Sequence, residues 1–107
     1  MSDEGIVTVY AVFGSDEEAR EIGRAMIERR LAACVNVLGP CHSIYRWHGD
    51  VEEATEVAAL FKTGRGRAEA LIAAIRDLHS YEIPAIVAWP IEAAHPGFRE
   101  WLIAETG

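Results

Sequence analysis

Apolar positions along this chain follow two rhythms. From Gly5 to Phe13 nearly every residue is apolar, on both parities, which predicts a strand covered on both faces and central in a sheet. Ala19, Ile22, Met26 and Ile27 then recur at helical spacing. Ser15-Asp-Glu-Glu18 ahead of them is a capping box, in which the serine hydroxyl accepts from the Glu18 amide and Glu18 reaches back. With acidic residues in the first turn and Arg29 and Arg30 in the last, a helix is predicted over about 15–31. The stretch from Ala33 to Thr63 reads as two long strands folded back at His48-Gly49-Asp50, where glycine supplies positive φ and aspartate favours a turn. Each arm runs to about a dozen residues, roughly twice the usual strand length. Pro40 cannot donate to a ladder, so Gly39-Pro40 predicts a bulge or kink in the first arm. The second arm also fits helical spacing at Val51, Ala54, Val57, Ala58 and Phe61. The turn, the β-rich arm before it and the unbroken apolar run from Val57 to Phe61 favour strand.

After a loop at Thr63-Gly-Arg-Gly66, Ala68, Leu71, Ile72, Ile75 and Leu78 share one face of a helix over about 67–79. Ser80 to Pro84 breaks it. Ile83 to Ile91 is predicted as a short buried strand, and His95-Pro96 opens a last helix with Phe98, Trp101 and Leu102 as its buried stripe. The order β-α-β-β-α-β plus a terminal helix predicts one α+β domain over residues 1–107 of ferredoxin-like architecture, an antiparallel four-stranded sheet with two helices on one face. Its other face is left open around Tyr10, Tyr45, Trp47 and Trp89, and a lone chain cannot cover arms this long, so the expectation is association with further copies.

Composition narrows the partners. A chain of 107 residues, half of them hydrophobic, is long enough to bury a single core. A net charge of −7 argues against nucleic acid and anionic membranes as partners. No apolar run reaches bilayer length. The acidic start lacks the basic region of a signal peptide, and the expectation is a cytoplasmic protein with Cys34 and Cys41 as free thiols.

The candidate chemistry is sparse. Cys34 and Cys41 have six residues between them, wider than zinc pairs use, and Cys34, set among Ala32, Ala33 and Val35, reads as a small buried hydrophobe. Cys41 and His42, with His48, form a soft-donor cluster, but the two histidines are on the order of 20 Å apart along a strand and need symmetry-related copies to share an ion. Lys62-Thr63-Gly64 matches one box of penicillin-binding enzymes, whose other boxes are missing. Gly64-Arg65-Gly66-Arg67 could hold an anion, and no phosphate loop of dinucleotide or Walker type is present. His79-Ser80-Tyr81-Glu82 does not make a triad, because sequence neighbours point apart. The sharper inference comes from register. A turn at His48-Gly49 pairs Trp47 with Asp50, which puts Tyr45 and Trp47 on one face with Glu52, Glu56 and Lys62 as the wall of a cleft.

At these residues the chain resembles the CutA family of divalent-cation tolerance proteins. The similarity is carried by Leu31-Ala-Ala-Cys-Val-Asn36, Ser43-Ile-Tyr-Arg-Trp-His-Gly49, Glu56 with Leu60-Phe-Lys-Thr63, His79-Ser-Tyr-Glu-Ile-Pro84 and Phe98-Arg-Glu-Trp-Leu102. The resemblance implies a ferredoxin-like fold and a homotrimer built by the long hairpins around a three-fold axis. It also implies a likeness to PII signalling proteins, with clefts between subunits, and a role in copper tolerance with binding of divalent metal. It implies no established biochemical activity. The chain departs from the family pattern where Ser80 replaces a proline, where Ala85 replaces a glutamate, and where Phe13 or Gly14 stands at a copper-linked cysteine of some bacterial members.

The expected function is therefore that of a non-enzymatic homotrimer serving divalent-cation, chiefly copper, tolerance. Trp47, Glu56, Lys62 and Tyr81 are its candidate cleft residues, and His79, Cys41 and His42 its candidate metal ligands. No cofactor is required; Cu²⁺ or another divalent metal is the expected cargo. The alternative is a PII-like sensor of a small anion, or a protein-interaction scaffold, motivated by Lys62, Arg65 and Arg67.

Overall fold

The computed structural model describes residues 5–107. Strand β1 (Ile6–Phe13) is followed by helix α1 (Asp16–Glu28), β2 (Cys34–Trp47), β3 (Asp50–Gly64), a single 3-10 turn (Arg65–Arg67), α2 (Ala68–Leu78), β4 (Ile86–Pro90) and α3 (Pro96–Thr106). The sheet order is β2-β3-β1-β4 and every pairing is antiparallel, which is the ferredoxin-like arrangement. Residues 51–62, helical by one reading of their spacing, are strand.

Core packing follows parity. Val7, Val9, Ala11 and Phe13 of β1 and Val57, Ala59 and Phe61 of β3 face α1 and α2, meeting Ile22, Met26, Leu71 and Ile75. Ile6 has the opposite parity and is buried instead with Ala33 and Leu102, so α3 covers the start of the other face. The remainder of that face carries Thr8, Tyr10, Val12, Glu56, Leu60 and Lys62 and has no helix over it.

The hairpin turns in two residues. His48 and Gly49 both take positive φ, 51° and 88°, and Trp47 pairs with Asp50, so Asp50 is the first residue of β3 rather than a turn residue. The predicted irregularity in the first arm is a bulge at Leu38: the register jumps between Val37 and Gly39, with Gly39 at φ 92°. Its effect is a switch of parity. Beyond the bulge the odd residues Cys41, Ser43, Tyr45 and Trp47 share the open face; before it the even residues Cys34 and Asn36 do. Val35 and Val37 can therefore pack on the helix side while Tyr45 and Trp47 point the other way.

Four details depart from the expectations. Helix α1 ends at Glu28, short of Arg29 and Arg30, because Arg30 enters the left-handed region at φ 59° and the amides of Leu31 and Ala32 close onto the Met26 carbonyl. Strand β4 starts at Ile86 because Pro84 has no N–H to offer a ladder, and it is an edge strand rather than a buried one, with Val87 and Trp89 about half exposed. In α3 it is Leu102 and Thr106 that are buried, while Phe98 and Trp101 lie against each other at the surface with their rings tilted by 32°. Cys34, expected as a buried apolar filler, is half-buried on the open face opposite Lys62; burial pushes its thiol up, and the Lys62 charge opposes the rise.

Deleting Leu38 leaves Val37 opposite Ala59 and Gly39 opposite Ala58 as successive pairs, so the ladder closes and both halves of β2 keep their faces. Leu38 is itself exposed, and the expected cost is within about 1 kcal/mol, read as a nearly unchanged urea midpoint. A large fall in the midpoint would show that Leu38 is more than an extra residue in the register.

Candidate functional site

A groove of about 720 Å³ opens on the face away from the helices, where the far half of the hairpin meets β1 and the segment after α2. The parity beyond the bulge delivers Ser43, Tyr45 and Trp47 from β2, and Glu52 and Glu56 from β3. Tyr10 and Val12 come from β1, and Tyr81, Glu82, Ile83 and Ala85 from the irregular segment that Pro84 keeps out of the ladder. Arg46 also borders it, with its guanidinium donating to the Gly49 carbonyl at 3.0 Å. The walls are aromatic and apolar, and the charged groups are mostly acidic.

Glu56 is the deepest polar group. It is only 8% exposed and accepts a hydrogen bond from the Tyr81 hydroxyl at 2.7 Å on Oε2. Among the described residues no cation lies within ion-pair distance of it. Burial pushes the Tyr81 phenol up, and its bond to Glu56 together with the charges of Glu56 and Glu18 and the nearby Tyr45 push it further, so it stays a donor. The Tyr81 ring lies against Gly14, where a Cβ would come within 3.1 Å of the phenolic oxygen.

His79 holds this assembly from behind. Its side chain is fully buried, stacked on Phe13 with ring centroids 5.0 Å apart. Nε2 lies 2.7 Å from the Val12 carbonyl and Nδ1 accepts from the Tyr81 amide at 3.0 Å. A carbonyl can only accept and an amide can only donate, so these partners assign the tautomer with hydrogen on Nε2. One step further out, Glu18 accepts from the Ser80 amide at 2.8 Å, the Ser80 hydroxyl at 3.1 Å and the Gly14 amide at 3.3 Å. The capping box thus reaches past its own helix. Burial pushes the Glu18 carboxyl up, but these three donors and neighbouring His79 outweigh it and hold the group below its ordinary value.

The structure gathers some of the candidates and disperses others. Tyr45, Trp47, Glu52 and Glu56 line the groove, as the register argument requires, and Tyr81 joins them from the segment after α2. Lys62 shares their face but not the groove, since it sits opposite Cys34 and donates to Asn36. Six residues of strand separate it from Glu56, on the order of 20 Å. Arg67 is likewise elsewhere, donating to the Thr106 carbonyl at 2.9 Å. His79, with a backbone partner on each ring nitrogen, has no lone pair to offer a cation in this arrangement. Cys41 and His42 are consecutive on a strand and face opposite ways: Cys41 is the cross-strand partner of Glu56, with Ser43 3.9 Å from its sulfur, whereas His42 pairs with Glu53 at 2.6 Å. Among the described residues no three His, Cys, Asp or Glu side chains converge as a metal set would. Glu82 and Ile83 line the groove with no local signal in the sequence, and Tyr10, which the sequence places on the open face but not in the cleft, joins them. β1 and the segment after α2 reach the groove through the tertiary arrangement alone.

A family model described as CutA1 divalent ion tolerance protein matches residues 7–105. The divalent-cation tolerance protein CutA of Thermus thermophilus is 43% identical over 93 residues, covering 87% of this chain and 90% of that protein. The protein CutA homolog of Xenopus laevis is 40% identical over 93 residues, 87% of this chain and 62% of the frog protein. The chain spans 55% of mouse protein CutA, so it matches little more than half of some relatives. Among solved structures, that of the periplasmic divalent cation tolerance protein CutA from Archaeoglobus fulgidus superposes with a TM-score of 0.92 at 34% identity, covering 95% of this chain and 99% of that one. The Thermus thermophilus divalent cation tolerance protein gives 0.91 at 40% identity, covering 95% and 99%.

A carboxyl held below its ordinary value stabilises the fold above that value, near 4.5 for Glu18, and loses the contribution as pH falls through the lowered one. Glu18→Gln is therefore expected to cost roughly 1 kcal/mol at neutral pH, with the gap to wild type closing below pH 4.5. Paired urea titrations across that range check it, and a gap independent of pH would refute it.

Proposed function

Starting from a chain that belongs to the CutA1 divalent ion tolerance family, we propose that it serves divalent-cation tolerance as a homotrimer, taking its cation in the groove beneath the hairpin with Glu56 as the anchor. The observation that carries this reading is the buried Glu56 carboxylate, held by one phenol and facing no cation among the described residues. A desolvated carboxylate in that position gains most from a positive partner.

Copper, or another divalent metal, is the cargo this reading expects. The Cys41 thiol lies across the ladder from Glu56 on the same face, and a soft thiolate with a carboxylate suits a borderline cation. Two donors are too few for a metal site, so the set needs donors from a second copy. The shape of the chain supports assembly. Its longest dimension is 47 Å against 25 and 21 Å, because the hairpin outruns its own helices, and Ile44 and Val51 near its tip are more than 60% exposed. On the open face Tyr10 and Trp89 stack with ring centroids 6.0 Å apart beside exposed Val87, an apolar patch of the kind that copies bury against one another. The closed arrangement follows from the family resemblance in the hairpin.

Two measurements test the proposal. Sedimentation at micromolar concentration is expected to give three times the 11.8 kDa of one chain, and a stable single-chain species would end the trimeric reading. Titration of the assembled protein with Cu²⁺ and Zn²⁺ is expected to saturate, with Glu56→Gln and Cys41→Ser each weakening binding about tenfold and His42→Ala leaving it unchanged. Absence of saturation by either metal would rule out metal as the cargo of this groove.

A further inference from the structure

We propose that the groove also takes a small organic ammonium, a protonated alkylamine, whose N–H groups donate to Glu56 while tyrosine and tryptophan rings flank its charge. This deepens the cation-groove reading above and rests on it. The groove's volume of about 720 Å³ is that of a small-molecule pocket rather than of a bare ion site. Its walls supply few metal donors but several π-faces: Tyr10, Tyr45, Trp47 and Tyr81 all line it. Rings of this kind attract a cation through their quadrupole, and the attraction grows as water is excluded.

Glu56 provides the directional part. Tyr81 donates to Oε2, and among the described residues no other hydrogen bond reaches the Glu56 carboxylate; Oε1 is not sealed off, which leaves it open to a donor in the groove although the residue is only 8% exposed. A primary ammonium brings both the charge and the N–H donor that this oxygen lacks. An alkyl tail finds apolar surface at Val12 and Ile83 in the same groove. Anions are disfavoured, because Glu52, Glu56 and Glu82 border the groove and the one cation there, Arg46, is engaged by the Gly49 carbonyl. The one lysine of the chain, Lys62, is held by Asn36 outside the groove.

The probe is n-butylammonium, with n-butanol as the neutral counterpart of similar size, both titrated into the full-length assembled protein by calorimetry and followed by tryptophan fluorescence. Saturable binding of n-butylammonium is expected, with n-butanol at least about tenfold weaker. Glu56→Gln keeps an oxygen for Tyr81 and removes the charge; it is expected to bring the amine to the level of the alcohol. Trp47→Leu, at a half-buried position, is expected to weaken the amine several-fold without moving the melting temperature of the empty protein. Equal binding of amine and alcohol, or amine binding untouched by Glu56→Gln, overturns the inference. Saturation by Cu²⁺ or Zn²⁺ with no response to n-butylammonium overturns it while the cation-groove reading stands, and silence from both metals and the amine removes both.

Discussion

The constraint on which this structure depends is the antiparallel pairing of β2 with β3 over their full length. It is set at one end by a two-residue turn and adjusted in the middle by one extra residue. The turn defines who faces whom: with His48 and Gly49 both at positive φ, Trp47 must oppose Asp50 and Tyr45 must oppose Glu52. The bulge at Leu38 lets the same strand serve two environments, placing valines on the helix side and aromatics on the open side. Without it, one of those sets would sit on the wrong face, since strand side chains alternate with a period of two.

A second thread runs from the helix to the groove. Ser15 caps the start of α1 by accepting from the Glu18 amide, while the Glu18 carboxylate collects both donors of Ser80 and so fixes where α2 gives way to the following segment. His79 locks that segment to β1 through the Val12 carbonyl and passes its other nitrogen to the Tyr81 amide. Tyr81 then reaches across to Glu56. Each link satisfies a polar group that burial would otherwise leave costly. Ser80 gives both its amide and its hydroxyl to Glu18, and the amide is a donor that a proline at this position could not supply. With a backbone partner on each ring nitrogen, His79, attractive as a ligand by residue type, acts as a positioning residue for Tyr81.

The groove that results is lined by a buried carboxylate, phenols and an indole. Lys62, Arg65 and Arg67, which in the chain read as a cationic set, do not line it. The thread behind the groove and the pairing beside it are independent in sequence and meet only at Glu56 and Tyr81.

The sequence by itself determined the elements, their order and the local pairing near the turn, because each depends on neighbours a few residues away. Capping at Ser15, the two-residue hairpin, the irregularity near Gly39-Pro40 and the alternation that joins Trp47 to Glu56 are all of this kind. Tertiary structure decided what no short-range rule encodes. Sheet order brought Tyr10 and the segment around Tyr81 to the hairpin, turned both ring nitrogens of His79 to the backbone, and separated Lys62 from Glu56 along a shared face. It also exposed Phe98 and Trp101, because periodicity gives a helix's apolar stripe but not which neighbour arrives to cover it. Local rules are legible in one dimension since their energies are local; the site arises from contacts between segments tens of residues apart, and those exist only once the chain has closed on itself.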